Sequence, residues 1–228
     1  MASEGESTAP KAEVIIEKGA VVAASASIGV DNDTSIETVK ITISKGNVFH
    51  PGSRLRIVPR GGKAAELRVD ENNLFEEGCD VTIDLRLLPE EDGGEIILIG
   101  RHNHFSSLSI VRCGSIGSRN AFKPSCVVEA AAGPEEGGGV GSGNGRVGDG
   151  CTVAPLVRLD LNGSLPDGAD FYSVLNAPTG TGAAPPTQVR LGGDGGGARN
   201  AREIEAMLSV ARRVIEGHHK VLDVTIGQ

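Results

Sequence analysis

The sequence contains no tryptophan, one tyrosine and five phenylalanines in 228 residues, which excludes a layered core filled by bulky aromatics. Its four cysteines, Cys79, Cys113, Cys126 and Cys151, form no CxxC pair. That spacing argues against a zinc knuckle and a dense disulfide framework, and points to reduced, buried thiols. No apolar run approaches the length of a membrane span, so membrane insertion is not expected. There is no run of Lys and Arg interleaved with aromatics, and a formal charge of -8 repels phosphate backbones, so nucleic acid is not an expected partner. The opening MASEGESTAPK is acidic and has neither a signal-type apolar stretch nor the Arg-rich character of a transit segment. A cytosolic protein with a disordered head over residues 1–13 is expected.

What is present is a period. Aliphatic or Phe residues recur six apart in triplets: Ile16, Val22, Ile28; Ile43, Phe49, Leu55; Val69, Phe75, Val81. The series continues through Ile99, Phe105, Val111; Ile116, Phe122, Val128; Val147, Val153, Leu159; and Leu165, Phe171. Six residues make one short strand and one corner, and three such units close a triangular coil. Stacking the coils pairs each strand with the one above it in parallel, so the phase predicts a left-handed parallel β-helix over residues 14–176, with about six to seven coils. Alternating antiparallel strands would give period two without six-residue phasing. Four residues after each apolar position a tight corner calls for a small side chain, as at Asn47, Ser53, Asn73, Cys79, Asn103, Ser109, Asn120, Cys126 and Cys151. All five phenylalanines fall on the second face and four asparagines share one corner, which predicts a Phe ladder and an Asn ladder. Asn suits that corner because its backbone tolerates unusual turns.

The phase breaks after Ile28, Leu55, Val81 and Val128, always behind the third face. Segments 29–42, 56–68, 82–98 and 129–146 are therefore expected to project from one vertex, an arrangement that often marks an interaction edge. Within them the acidic 85–95 and the Gly-rich 134–145 read as solvated loops. Residues 177–197, crowded with Gly and Pro, read as a linker. Apolar Ile204, Met207, Leu208, Ala211, Val214 and Ile215 then recur at helical spacing, predicting an amphipathic helix over 198–220 that docks on the prism, and a tail over 221–228.

The runs KITISKGNVFHPGSRL, VDENNLFEEGC, ILIGRHNHFSS and GDGCTVAPLVRLDLNGSLPDGADFYS, with the terminal helix, resemble the dynactin subunit 6 family. The resemblance covers most of residues 16–219. It departs in the longer insertions after Ile28 and Val128 and in the Gly-rich linker. It implies a non-catalytic scaffold at the pointed end of dynactin that supports dynein-driven microtubule transport and cargo attachment. It also implies pairing with the related β-helix dynactin subunit 5, and through it contact with the pointed-end actin-related protein and the p62-type subunit. A cytoplasmic, cytoskeleton-associated protein without cofactor or small-molecule substrate follows from the same likeness.

Hexapeptide phasing is shared with acyltransferases and gamma-class carbonic anhydrases, so the phase alone leaves an enzyme open. On alignment by phase, the three zinc-binding histidines of a gamma-class carbonic anhydrase fall at Thr82, Ser107 and Arg112. Two hydroxyls make a poor zinc set, and a permanent guanidinium charge repels the cation. His102 and His104 flank the inward Asn103 and are expected to face solvent, as is His50 behind the inward Phe49. His218 and His219 suit the carbonyls at a helix end. No histidine base of the acyltransferase kind, P-loop or GxSxG motif is assignable. No catalytic, cofactor-binding or metal site is therefore assigned. A β-helix subunit of another assembly, such as the carbonic-anhydrase-like arm of mitochondrial complex I, is the remaining rival, and the non-basic N-terminus weighs against it.

Overall fold

The structure is a computed structural model in which residues 11–31, 38–59, 65–88, 95–130, 145–161, 163–173, 187–191 and 195–218 are described. Six coils each contribute one strand to each of three faces. The first coil is β1 (Lys11–Ile16), β2 (Val21–Val22) and β3 (Ser27–Val30). The second is β4 (Thr38–Ile43), β5 (Val48–Phe49) and β6 (Arg54–Val58), and the third is β7 (Ala65–Val69), β8 (Leu74–Phe75) and β9 (Asp80–Asp84). Then come β10 (Glu95–Ile99), β11 (His104–Phe105), β12 (Ile110–Cys113), followed by β13 (Ser115–Ile116), β14 (Ala121–Phe122), β15 (Val127–Ala130). The sixth coil is β16 (Arg146–Val147), β17 (Thr152–Val153) and β18 (Arg158–Leu161). Successive coils hydrogen-bond in parallel, giving sheet orders β1-β4-β7-β10-β13-β16, β2-β5-β8-β11-β14-β17 and β3-β6-β9-β12-β15-β18. The fold is the left-handed parallel β-helix of hexapeptide repeats that the period predicts.

The register matches the phase read from the sequence. Ile16, Ile43, Val69, Ile99, Ile116 and Val147 align on the first face, and Ile28, Leu55, Val81, Val111, Val128 and Leu159 on the third. On the second face Phe49, Phe75, Phe105 and Phe122 stack with ring centroids 4.1, 4.7 and 5.1 Å apart. Those spacings follow the strand separation of about 4.8 Å, and each stacked pair adds about 1 kcal/mol beyond its buried area. The predicted ladder of five is a stack of four, because Val153 stands between Phe122 and Phe171 in the column.

The asparagine column is a hydrogen-bond ladder. The amide N–H of Asn73 donates to Asn47 Oδ1, that of Asn103 to Asn73 Oδ1, that of Asn120 to Asn103 Oδ1 and that of Cys151 to Asn120 Oδ1, at 2.6–2.9 Å. The unusual backbone lies one residue earlier than expected. Asn72, His102 and Arg119 have φ near +60°, whereas the ladder residues that follow them do not. Asparagine is used here for its side-chain amide, which satisfies buried backbone groups that water cannot reach. A second ladder at the same corner runs the other way. Arg101 N–H donates to Ser118 Oγ, Ser118 N–H to Asp149 Oδ1 and Asp149 N–H to Asp167 Oδ1. It passes over Gly100, Gly117 and Gly148, where an added Cβ would meet those same acceptors within 2.2–2.4 Å.

The vertex expected to carry loops is built differently. Residues 38–42, 56–58, 65–68, 82–84 and 95–98 continue the strands of the first and third sheets past the triangle. Their alternate side chains, Ile41, Ile57, Leu67 and Ile83, are fully buried in the same core as the phenylalanines. Leu85–Leu87 forms a short 3-10 turn that buries Leu85 and Leu87, within the segment read as an acidic loop. Residues 89–94 of that loop and residues 131–144 lie outside the described residues.

The N-terminal boundary also moves, since β1 begins at Lys11 inside the expected head. Leu165 bridges to Val147 and starts a seventh coil, and β19 (Ala169–Ser173) pairs with β17 on the second face. The segment read as a linker contains β20 (Thr187–Leu191), which pairs antiparallel to β19 and ends the second sheet, and the beginning of α1 (Gly195–His218). Glycine costs about 1 kcal/mol in a helix interior, and Gly195 to Gly197 masked the start of α1 for that reason. No described helix is long and apolar enough to cross a membrane.

Candidate functional site and interaction surfaces

Outside the second sheet runs a column of side chains that alternate with the phenylalanines: Val21, Val48, Leu74, His104, Ala121 and Thr152. Helix α1 lies along it. Ile204, Leu208, Ala211 and Ile215 pack on Val21, Val48 and Leu74, while Asn200 Nδ2 donates to the Arg119 carbonyl at 3.1 Å. At the other end Arg212 Nη2 donates to the Gly46 carbonyl at 2.9 Å. The docking stripe is narrower than expected, because Val214, like Val210, stays exposed along the flank of the helix. Burying Ile204 or Leu208 contributes roughly 2 kcal/mol each, so the helix is held by its own apolar face.

The helix changes the histidines. His104 was expected in solvent, yet it is 5% exposed, because it sits in the column that the helix covers. His102 is half-buried with Nε2 3.4 Å from Glu205 of α1. His104 Nε2 lies 2.9 Å from Glu76 Oε1 and 3.3 Å from Ser106 Oγ. Glu76 Oε2 accepts the Ser107 N–H at 2.8 Å and its hydroxyl at 3.0 Å. Burial alone would raise the Glu76 carboxyl, but His104 and the two Ser107 donors outweigh it and hold it at about 2. Sequence phase could not show this cluster, since it depends on a helix about 100 residues further on.

The cluster resembles a relay only in composition. A Ser–His–carboxylate relay uses opposite ring nitrogens for its two partners. Here Ser106 and Glu76 both address Nε2, so no proton passes through the ring from one to the other. Ser106 is also buried. The arrangement satisfies polar groups beneath the helix.

Thr82 and Arg112 are register partners on β9 and β12, so the structure does bring these two zinc-ligand positions together. Thr82 is buried. The Arg112 guanidinium sits 3.3 Å from Asp84 Oδ2, and Arg86 makes two further bonds to the same carboxylate at 2.8 and 2.9 Å. Burial raises the Asp84 carboxyl, and the bonds from Arg86 and Arg112 more than offset it, leaving it below its ordinary value. Ser107 stands apart, committed to Glu76. Among the described residues no three His, Cys, Asp or Glu side chains are grouped as a metal site. The four thiols are free and buried, as their spacing suggested. Burial pushes Cys79 and Cys126 up to about 12 and Cys151 to about 11, and raises Cys113 as well, so none is a ready nucleophile.

Two apolar features stand at the surface among the described residues. A groove of about 400 Å³ runs between α1 and the second sheet, lined by His50, Leu74, Glu76, Met207, Val210 and Val214. His50 faces that groove rather than open solvent. At the corner between the second and third faces, Leu108 and Leu156 are exposed at φ near +60°, with exposed Ile110 close by in sequence. His218 ends α1, and His219 lies outside the described residues.

No protein-family model matches this sequence, and no curated protein is similar to it. Solved structures do resemble it in fold. A hexapeptide transferase family protein from Anaplasma phagocytophilum superposes with a TM-score of 0.52 at 11% identity, covering 91% of this chain and 98% of that one. A UDP-N-acetylglucosamine acyltransferase (TM-score 0.27, 12% identity, 90% and 85% covered) superposes too loosely to carry weight. So does LpxA from Acinetobacter baumannii (0.22, 12%, 91% and 84%). At such identities the likeness is one of architecture, a hexapeptide-repeat β-helix.

Proposed function

We propose that the chain is a non-catalytic structural subunit of the dynactin pointed end, of the subunit 6 kind, pairing with a subunit 5-type β-helix. Through that partner it would meet the pointed-end actin-related protein and the p62-type subunit, in the cytoplasm and on the cytoskeleton, and help attach cargo to dynein. The observation that carries the non-catalytic reading is the commitment of Thr82, Ser107 and Arg112. Where a gamma-class carbonic anhydrase presents imidazoles, this chain has a buried hydroxyl, a serine bonded to Glu76 and a guanidinium paired with Asp84. A zinc ion beside Arg112 would meet a fixed positive charge and no nitrogen ligand. The assembly reading rests on the four short runs quoted for the resemblance, to which no family or curated match adds, and on a terminal helix docked along the second sheet.

The competing reading is an acyltransferase-like hexapeptide enzyme, which the fold likeness favours. It requires an accessible histidine base. His104, buried and bonded to Glu76, is poorly placed for that work. Affinity purification of the tagged full-length chain from its own cells, with mass spectrometry, tests the proposal: dynactin subunits are expected to co-purify. Recovery of respiratory subunits, or stoichiometric zinc together with CO2 hydration or acyl-transfer activity, would overturn it.

A further inference from the structure

Among the described residues the first coil is less covered than the last. Strands β1, β2 and β3 are each the outermost member of their sheet, so three strand edges meet at one end of the prism. Their N–H groups at Glu17, Val21, Ala23, Ser27 and Asp31 donate into the second coil. The outward half of each ladder has no strand beside it among the described residues. Val14, Ile16, Ile28 and Val30 are only half-buried, while their register partners Ile41, Ile43, Leu55 and Ile57 are fully buried one coil further in. The same side-chain columns therefore change from dry to wet within one strand spacing.

Natural edge strands are commonly blunted by Lys, Pro, a bulge or a covering element. Strands β2 (VV) and β3 (SIGV) carry no charge and no proline, and β1 carries Lys11 and Glu13 ahead of its apolar Val14 and Ile16. At the opposite end, β18 carries Arg158 and Asp160, Arg158 is paired with Glu129, and the antiparallel β19–β20 pair finishes the second sheet. Leu159, Leu161, Leu165 and Phe171 are all buried there. The second face is meanwhile occupied by α1, which removes one lateral surface.

We infer that the open first coil is a docking surface for the end coil of a second hexapeptide β-helix, which pairs with the edges of β1, β2 and β3 and covers Val14, Ile16, Ile28 and Val30. The occupant is argued from geometry. A lone strand can pair with one edge only, whereas another triangular coil meets all three and continues the apolar interior. This inference rests on the proposed pairing with a subunit 5-type β-helix and says which end of this chain makes it.

The full-length chain, titrated with a purified subunit 5-type β-helix from the same source and followed by hydrogen-exchange mass spectrometry, provides the test. Amides of residues 14–30 that do not already donate into the second coil are expected to slow about tenfold or more in the complex, with β18 unchanged. Ile28→Arg should weaken binding about 100-fold, whereas Ile110→Arg, on the outer side of the third sheet, should leave it unaltered. If Ile28→Arg fails to fold, Val30→Arg tests the same rim. The inference is overturned by a complex that protects a lateral face, by outward amides of residues 14–30 already slow in the free chain, or by self-association that protects them without the partner. Absence of any complex would remove the proposed function along with it, while protection elsewhere removes this inference alone.

Discussion

In the middle of the coil Phe75, Phe105, Val81 and Val111 have a strand on each side and are fully buried, whereas Ile16 and Ile28 in the first coil have a neighbour on one side and stay half-buried. The residues are of the same kind, at the same six-residue phase. The difference teaches that on the first and third faces of this end burial awaits a further coil, so that equal substitutions there and in the middle should have unequal effects.

The largest expected contrast comes from charge. Phe105→Asp puts an unpaired carboxylate among stacked rings, and we expect more than about 4 kcal/mol of destabilisation, seen as loss of the cooperative melt. Ile28→Asp, at the half-wet end, should retain a melting transition; equal unfolding by both would break the comparison. Truncation should grade the same way, with Phe75→Ala costing about 3–5 kcal/mol in denaturant unfolding and Ile28→Ala about 1–2.

The polar column sharpens it next. Asn103→Ala leaves the Asn120 N–H and the carbonyls of Gly100 and Gly117 without their partner, and about 2–3 kcal/mol should be lost. Acid should act on the centre through Glu76. Its carboxyl lies near 2 folded and near 4.5 unfolded, so its contribution is complete above about 4.5 and disappears as pH falls toward 2. The contribution is at most about 3 kcal/mol, less after solvent screening. Glu76→Gln should therefore flatten the acid limb of a stability–pH curve. The smallest effect is expected at the sixth coil, where Leu156 is 78% exposed at φ +61°. Leu156→Gly should be neutral or stabilise by up to about 1 kcal/mol, because glycine holds that backbone without strain.

The coil was legible in the sequence because hexapeptide phase is a local signal, so all three apolar columns could be placed from Ile16 to Leu159. Strand extensions such as KITI and LRIV were hidden by that same regularity. Their period of two, carried by Val39, Ile41 and Ile57, was read as a break in phase when it continued the core. Strand β20 was lost among glycines and prolines, whose turn signals outweighed TQVRL. The His104 and Glu76 cluster was not legible at all, because its burial comes from a helix that lies far off in sequence and is placed only by tertiary packing. The Thr82, Ser107 and Arg112 alignment was legible as residue types, but the ion pair with Asp84 needed coordinates.

One feature of the corner has a mechanical meaning. Amide groups reach toward the start of the chain along Asn47 to Cys151 and toward its end along Arg101 to Asp167. Separating the fourth turn from the fifth, or the fifth from the sixth, must rupture a link of each ladder. Those turns are stitched twice at this corner, so opening of the prism is expected to begin elsewhere along the axis.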